Sequence, residues 1–348
     1  VKMLRLRNNN LQCEIPEDVF SMPSLTLLDL SGNKESSINF KSINSERAAA
    51  LEELHVADGA IASLKGIERV LGNLTALNVA GNFMVGEFPV SVLELEYLTS
   101  LDLSHNSFSG TIPTIIGTAT TSLQTLKLSY NQFSGNIPST LGNLRDLSRL
   151  TLQSNNLRGS IPAELSKLTS LTQISFNDNS LSGPILDFAN SPFLLSIDGR
   201  NNMLTGTIPS TLLQSVDPMY SILSVVDLSN NKLTGNVPIA LSRFSSLRIL
   251  LFGNMLDELN QELCSQAGGW FFDDVSLFGC DAIMCPPGTY NIFGRQISES
   301  FPCQACEQAS FYGTTTCEVS SQGISERSKI ILLLPSKAAS STDESDDY

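Results

Sequence analysis

The chain has 348 residues, of which 41% are hydrophobic and 16% are charged, so it can bury a sizeable core and is not a disordered chain. A formal net charge of −14 disfavours nucleic acid and anionic membrane surfaces as partners, because phosphate binding requires clustered Lys and Arg. The sequence holds no run of roughly 18 apolar residues, so we expect no membrane span in this chain.

A single phrase, LxxLxLxxNxLxGxIPxxLxxLxx, recurs along most of the chain. Its first apolar residue falls at Leu74, Leu98, Leu123, Leu147 and Leu171, in steps of 24, 25, 24 and 24 residues. Further copies open at Val1, Leu25, Leu51, Leu194, Leu223 and Leu247, which gives about eleven. Such a period in many copies is typical of leucine-rich repeats. Because Val1 already lies inside a repeat, we interpret the chain as a fragment whose beginning is missing.

Each position of the phrase has a structural reason. The LxL pair, such as Leu126 and Leu128, predicts a short strand whose alternate side chains point inward. One repeat cannot bury these leucines alone, so neighbouring repeats must stack as a parallel sheet over a shared core. The Gly permits a tight backbone approach, and the Pro fixes the turn that follows.

An Asn column lies where the chain turns off each predicted strand. An Asn amide can satisfy loop backbone groups that would otherwise be buried without a partner, so we interpret the column as architecture. Its members are Asn9, Asn33, Asn82, Asn106, Asn131, Asn155, Asn179, Asn202 and Asn231. For Asp29, Asp102 and Asp227, which also share a column, we likewise expect a structural role.

The LxGxIP form resembles the plant-type leucine-rich repeat of receptor-like kinases, receptor-like proteins and polygalacturonase inhibitors. The resemblance covers residues 1–260. It implies an α/β solenoid, a right-handed superhelix with a parallel β-sheet on its concave face. It also implies an extracellular or cell-surface recognition role, with a protein, peptide or glycan as the partner.

Six of the seven cysteines follow residue 260, where apolar patterning is weak, and they predict a disulfide framework. Among fifteen possible connectivities we expect Cys264–Cys280 to close a cap over 261–284, followed by Cys285–Cys303 and Cys306–Cys317. A zinc site on Cys280, Cys285, Cys303 and Cys306 is the alternative, because their spacing is tolerable for ligands. Cys13 replaces the repeat's Gly, and we expect either a partner before Val1 or a free buried thiol.

Residues 285–317 resemble the ephrin-receptor-like cysteine-rich module. The shared features are C-x-x-G-T-Y at the start, P-C-x-x-C in the middle and a closing Cys. We expect 318–348 to be a disordered acidic tail. Asn73 begins an Asn-Leu-Thr glycosylation sequon and should lie at the surface of a secreted protein.

No catalytic, cofactor or metal motif is present in the sequence, and no nucleophile–base pair is in view, so we expect a non-catalytic protein without cofactors. Function should lie on the exposed strand positions of the concave face. Most of these positions carry Ser, Asp or Ala. Residues of other types cluster in the middle of the chain and predict a ligand-binding patch of Lys127, Tyr130, Arg149, Gln153, Gln173, Asn177, Asp178 and Arg200. His105 lies at the edge of this patch. The alternative functions are a secreted inhibitor of a cell-wall-degrading enzyme and an intracellular scaffold.

Overall fold

The computed structural model describes residues 1–43, 50–219, 225–267, 269–271 and 274–317. The segment Val1–Cys317 is one compact unit. The predicted acidic tail, 318–348, lies outside the described residues. The proposed boundaries between solenoid, cap and cysteine-rich module within 1–317 stay predictions.

Stacked repeats form the main sheet, as the LxL pairs predict. Within the described residues it has eleven parallel strands, which we call the long sheet, and its solvent-exposed side is the concave face. Its strands, in spatial and chain order, are Met3–Arg5, Leu27–Asp29, Glu53–His55, Ala76–Asn78, Ser100–Asp102, Thr125–Lys127, Arg149–Thr151, Gln173–Ser175, Ser196–Asp198, Val225–Asp227 and Arg248–Leu250. Register is strict: Leu126 lies opposite Leu101 and Leu150, and all three are fully buried. The predicted leucine-rich-repeat solenoid is confirmed. The predicted count of about eleven repeats stays a prediction, with which the eleven strands agree.

A second parallel sheet was not predicted from the sequence. It is built from the xLxGx part of the phrase, which alternates buried and outward side chains as the long sheet does. Its strands are Val85–Gly86, Ser107–Thr111, Gln132–Gly135, Asn156–Ser160, Ser180–Pro184, Met203–Gly206, Lys232–Asn236 and Met255–Glu258. Gly159 shows why the phrase needs glycine: its φ is +78°, and a Cβ there would lie 2.6 Å from Asn136 Oδ1.

Short helices connect the strands on the opposite side of the solenoid. The α-helices are Glu17–Phe20, Ile67–Val70, Ile116–Ala119, Gln261–Gln266 and Asp274–Phe278. The 3-10 helices are Val90–Glu94, Ser139–Asn143, Ala163–Lys167, Ile239–Arg243 and Gly279–Ala282. The repeat's Pro directly precedes several of these, as Pro138 does with a φ of −64°. Its fixed φ therefore starts a helical turn as well as ending a strand.

The side chains of the Asn column form hydrogen bonds that link each repeat to the one before it. Asn155 Nδ2 donates to the carbonyls of Leu128 and Leu152, both at 3.0 Å, and its Oδ1 accepts from the Phe133 N–H at 3.0 Å. The same arrangement recurs at Asn33, Asn82, Asn106, Asn131, Asn179, Asn202, Asn231 and Asn254. Asn9 differs, since it is exposed and its side-chain amide donates to the carbonyl of Arg7, only two residues before it. The predicted architectural role of this column is confirmed for its buried members.

Three disulfides close the C-terminal part of the described chain, Cys264–Cys280, Cys285–Cys303 and Cys306–Cys317. These are the pairs expected from the sequence, and they occupy the thiols that a zinc site would need. The cap around them buries Trp270, whose Nε1 donates to the Phe244 carbonyl at 2.8 Å. A short antiparallel pair, Thr289–Tyr290 with Gln304–Ala305, lies within the last segment.

Cys13 is free within the described residues and it is exposed. The expectation of a buried thiol was therefore wrong, because the repeat's Gly position lies at the surface in this first copy. Among the described residues, no helix is long and apolar enough to cross a membrane.

Candidate ligand-binding face

Four consecutive strands of the long sheet carry the predicted patch, from Thr125–Lys127 to Ser196–Asp198. Arg149 lies directly opposite Thr125 on one side and Gln173 on the other. Beyond the strand ends the ladder continues, since the Ser154 N–H donates to the Asn177 carbonyl at 3.0 Å. The structure thus brings all eight predicted residues to one face, in adjacent columns one strand spacing apart.

Two of the predicted cations are already paired. Lys127 Nζ lies 3.3 Å from Asp102 Oδ2. The Arg200 guanidinium lies between two carboxylates, 3.3 Å from Asp198 Oδ2 and 3.4 Å from Asp227 Oδ2. These contacts orient both side chains and reduce the positive charge that they offer to a ligand.

The buried aspartates of the repeat phrase are structural, as expected. Asp227 Oδ1 accepts from the Ser229 N–H at 3.0 Å and from Ser229 Oγ at 2.6 Å. Asp102 and Ser104 form the same pair at the same distances. Each carboxylate thereby holds the bend where its strand ends.

Asp198, at the same strand position, differs from these carboxylates because its pKa is raised. Burial raises its pKa to about 6, and the neighbouring charges of Asp227 and Asp178 add to the shift. Arg200 acts in the opposite direction without cancelling it. The sequence marks Asp198 only as one more member of the strand phrase and gives no sign of this shift in its pKa.

A column of residues in the left-handed backbone region follows the strands, and the sequence did not predict it. Its non-glycine members at the centre of the face have φ between 53° and 55° and are His105, Tyr130, Ser154, Asp178, Asn201 and Asn230. Their side chains contact along the column: Asn201 Nδ2 donates to Asp178 Oδ1 at 2.6 Å, and Asn230 Nδ2 donates to Asn201 Oδ1 at 2.8 Å. Among non-glycine residues, Asn and Asp adopt the left-handed conformation most readily. Their recurrence at this position of the repeat is the sequence pattern that could have indicated it.

The centre of the face also holds polar atoms without partners. Among the described residues, Thr151 Oγ1, Gln153 Oε1 and Asn177 Oδ1 are buried and accept no hydrogen bond; we call them the acceptor cluster. Thr151 is 6% exposed and Asn177 is 3% exposed. A buried acceptor left unpaired costs about 1–3 kcal/mol, so each of these oxygens would gain from a hydrogen-bond donor. Thr151 was not among the residues predicted from the sequence.

Arg149 and Gln173 complete the patch. Neither side chain has a hydrogen bond or ion pair to any part of the chain that the structure describes, and Arg149 is exposed. Asn73 of the sequon is exposed as well. Within the described ranges, no group of three or more His, Cys, Asp or Glu is placed to hold a metal ion.

Comparison with known proteins gives the same fold. Residues 97–119, 122–144, 146–168 and 223–244 match the leucine-rich repeat family. Receptor-like protein 7 of Arabidopsis thaliana is 30% identical over 114 residues, which are 32% of this chain and 11% of the relative. Receptor like protein 21 of the same plant is 29% identical over 128 residues, 35% of this chain and 12% of the relative. The chain thus covers little more than a tenth of the length of these two relatives.

Solved structures match over more of the chain. The ectodomain of the receptor kinase GASSHO1/SCHENGEN3 from Arabidopsis thaliana, solved with CASPARIAN STRIP INTEGRITY FACTOR 2, has a TM-score of 0.67 at 27% identity. This match covers 78% of the present chain and 35% of the ectodomain. The Arabidopsis receptor kinase HAESA ectodomain, solved with an extended IDA peptide hormone, has a TM-score of 0.57 at 32% identity, covering 73% and 46% of the two chains.

Proposed function

We propose that this chain is a non-catalytic, extracellular recognition module that binds a peptide or protein ligand on the concave face and forms part of a larger receptor-like protein. One observation supports the proposal above the others. Four adjacent strands place oriented charged, aromatic and amide side chains on one surface, and Tyr and Arg among them are types enriched in binding hot spots.

Relatives of similar fold support a peptide ligand. The HAESA ectodomain was solved with a peptide hormone and the GASSHO1/SCHENGEN3 ectodomain with CASPARIAN STRIP INTEGRITY FACTOR 2, and each matches more than two thirds of the present chain. A stacked sheet suits this role because every repeat adds side chains at a fixed spacing along an extended ligand. A glycan partner stays an alternative ligand for the same face.

An extracellular location is supported by the three disulfides of the described residues, because such bonds persist in oxidising compartments. The surface position of the Asn73 sequon is consistent with it. An intracellular scaffold would instead require these cysteines to be free thiols. We further propose that 285–317 is an ephrin-receptor-like module that closes the array.

Selection from a displayed library of random twelve-residue peptides, with an oligosaccharide array in parallel, tests the proposal. Arg149→Ala should weaken a selected ligand about tenfold or more, as expected for a hot-spot side chain. Arg158→Ala is the matched control, since Arg158 is also exposed but lies on the second sheet of the same repeat. An equal loss of affinity in both variants, or no loss in either, would count against the concave face as the ligand-binding surface.

A further inference from the structure

We propose that the acceptor cluster, together with Asp178 and Asp198, forms a subsite for a cationic hydrogen-bond donor, a guanidinium or ammonium group carried by a bound peptide. This inference rests on the proposed function and names the chemical class of ligand that the concave face takes. Three unpaired acceptors in one place are its geometric basis.

The three acceptor oxygens belong to two adjacent repeats, at the end of one strand of the long sheet and just beyond the ends of that strand and the next. Thr151 and Gln153 are two residues apart on one chain segment and so project to the same side. Gln153 lies opposite Asn177, because Arg149 pairs with Gln173 and the ladder continues to the bond between Ser154 and Asn177. A ligand with several N–H donors in one plane, such as a guanidinium, matches clustered oxygen acceptors.

The orientation of the Asn177 amide follows from its neighbour. Its Nδ2 donates to Asp178 Oδ2 at 2.6 Å, and a carboxylate accepts only from the nitrogen side of the amide. The remaining amide atom, Asn177 Oδ1, is therefore an oxygen acceptor without a donor among the described residues, and Asp178 adds negative charge beside it.

Charge around the cluster is also negative. Arg200 is paired with Asp198 and Asp227, and the charge of Asp178 also acts on it. Arg149, two residues before Thr151, has no ion-pair partner among the described residues. Lys127 lies directly opposite Thr151, and its charge is paired with Asp102 on the next strand, so the carboxylates around the cluster outnumber the cations. An anionic ligand group would have to contact Arg149 and would leave all three acceptors unpaired, whereas a cationic donor satisfies them and gains from the carboxylates.

The acceptor atoms are covered in the ligand-free conformation, so binding must move a side chain. Gln153 is only partly buried, and its long side chain can change rotamer without movement of the backbone. Binding should therefore be visible at side-chain methyls above the sheet while the strand backbone stays in place.

Three blocked tripeptides test the inference: acetyl-Gly-Arg-Gly-amide, its uncharged citrulline counterpart, and acetyl-Gly-Glu-Gly-amide. Each is titrated to about 10 mM, the range of single-group affinities, into the intact chain labelled at Thr and Ile methyls and followed by NMR. We expect the Arg peptide to shift the Thr151 methyl and to bind about fivefold or more tightly than the other two. Thr151→Val and Asp198→Asn should each weaken it by about fivefold.

Thr125→Val and Asp257→Asn are the matched controls and should change its affinity less than about twofold. Thr125 lies on the neighbouring strand of the same face, and Asp257 is exposed on the second sheet. Equal binding of the citrulline peptide, preference for the Glu peptide, or no binding at all would each overturn the inference. A library ligand that still depends on Arg149 in that case would leave the proposed function intact.

Discussion

The His105 ring stacks on the Tyr130 ring, with centroids 4.2 Å apart and planes inclined by 15°. The two residues occupy the same position in consecutive repeats, and both have a φ of 53° in the left-handed region. Side chains along this column therefore sit above a backbone conformation that most residues avoid. Contact between neighbours compensates part of that cost.

Tyr130 provides a test of the backbone requirement. Tyr130→Val places a β-branched side chain in the left-handed region and should lower the free energy of unfolding by about 1–2 kcal/mol more than Tyr130→Asn does. Both variants lose the stack on His105, so the difference between them isolates the backbone term. Urea unfolding followed by circular dichroism measures it, and indistinguishable midpoints would show that the position is not strained.

A substitution of Asn155 tests how much the hydrogen bonds between repeats contribute to stability. Asn155→Ala removes bonds to the Leu128 and Leu152 carbonyls and leaves the Phe133 N–H unpaired, so we expect a loss of about 2–4 kcal/mol. Asn156→Ala, one residue on and exposed, should change stability by less than about 0.5 kcal/mol. Thermal unfolding of the two variants side by side decides the matter. A similar small loss for both would mean that the Asn column is not architectural.

For Thr151 we predict that removing a polar group does not lower the stability of the protein. Its buried hydroxyl has no partner among the described residues, so Thr151→Val should leave the melting temperature unchanged or raise it by about 1–3 °C. Ser104→Ala, by contrast, removes a bond of 2.6 Å to Asp102 and should be destabilising. Differential scanning calorimetry separates the two. A clear loss of stability in Thr151→Val would show that its hydroxyl is satisfied in the free protein.

Asp198 predicts a pH dependence. Its pKa is raised to about 6 in the folded protein, against about 3.9 in an unfolded chain, so the folded state binds the proton more tightly. This contribution to stability is full below about pH 4 and is lost as the pH rises through about 6. The melting temperature of the wild type relative to Asp198→Asn should therefore fall by about 1–3 °C between pH 4 and 6.5. Parallel profiles of the two proteins would contradict the assignment; Asp257→Asn should run parallel to the wild type.

Much of the fold follows from the sequence because each repeat imposes the same constraint. Leu126 and Leu128 recur at a fixed period, and only stacking buries them all. The Asn at the position of Asn155 recurs in most copies with similar sequence neighbours, so its structural role could be inferred from its place in the repeat. The last six cysteines pair in chain order, which is the one arrangement among fifteen that we expected, although their spacing alone does not determine it.

Features that arise between repeats were harder to predict. The second sheet has a signal in the alternation around Phe108 and Phe133, but those short runs read equally as turns. Pairing of Arg200 with Asp227 crosses an irregular step of 29 residues between repeats, so its register could not be read from the sequence. Burial of Thr151 without a partner depends on which neighbours reach it, and no periodic pattern encodes that.

Site-specific cross-linking tests the binding face most directly. A photo-reactive phenylalanine is placed at Gln173, on the concave face, or at Gln132, which is exposed on the second sheet. Each protein is irradiated with a peptide selected against the wild-type chain. We predict that cross-links form from position 173 and not from position 132, whereas efficient cross-linking from 132 alone would contradict a ligand-binding concave face.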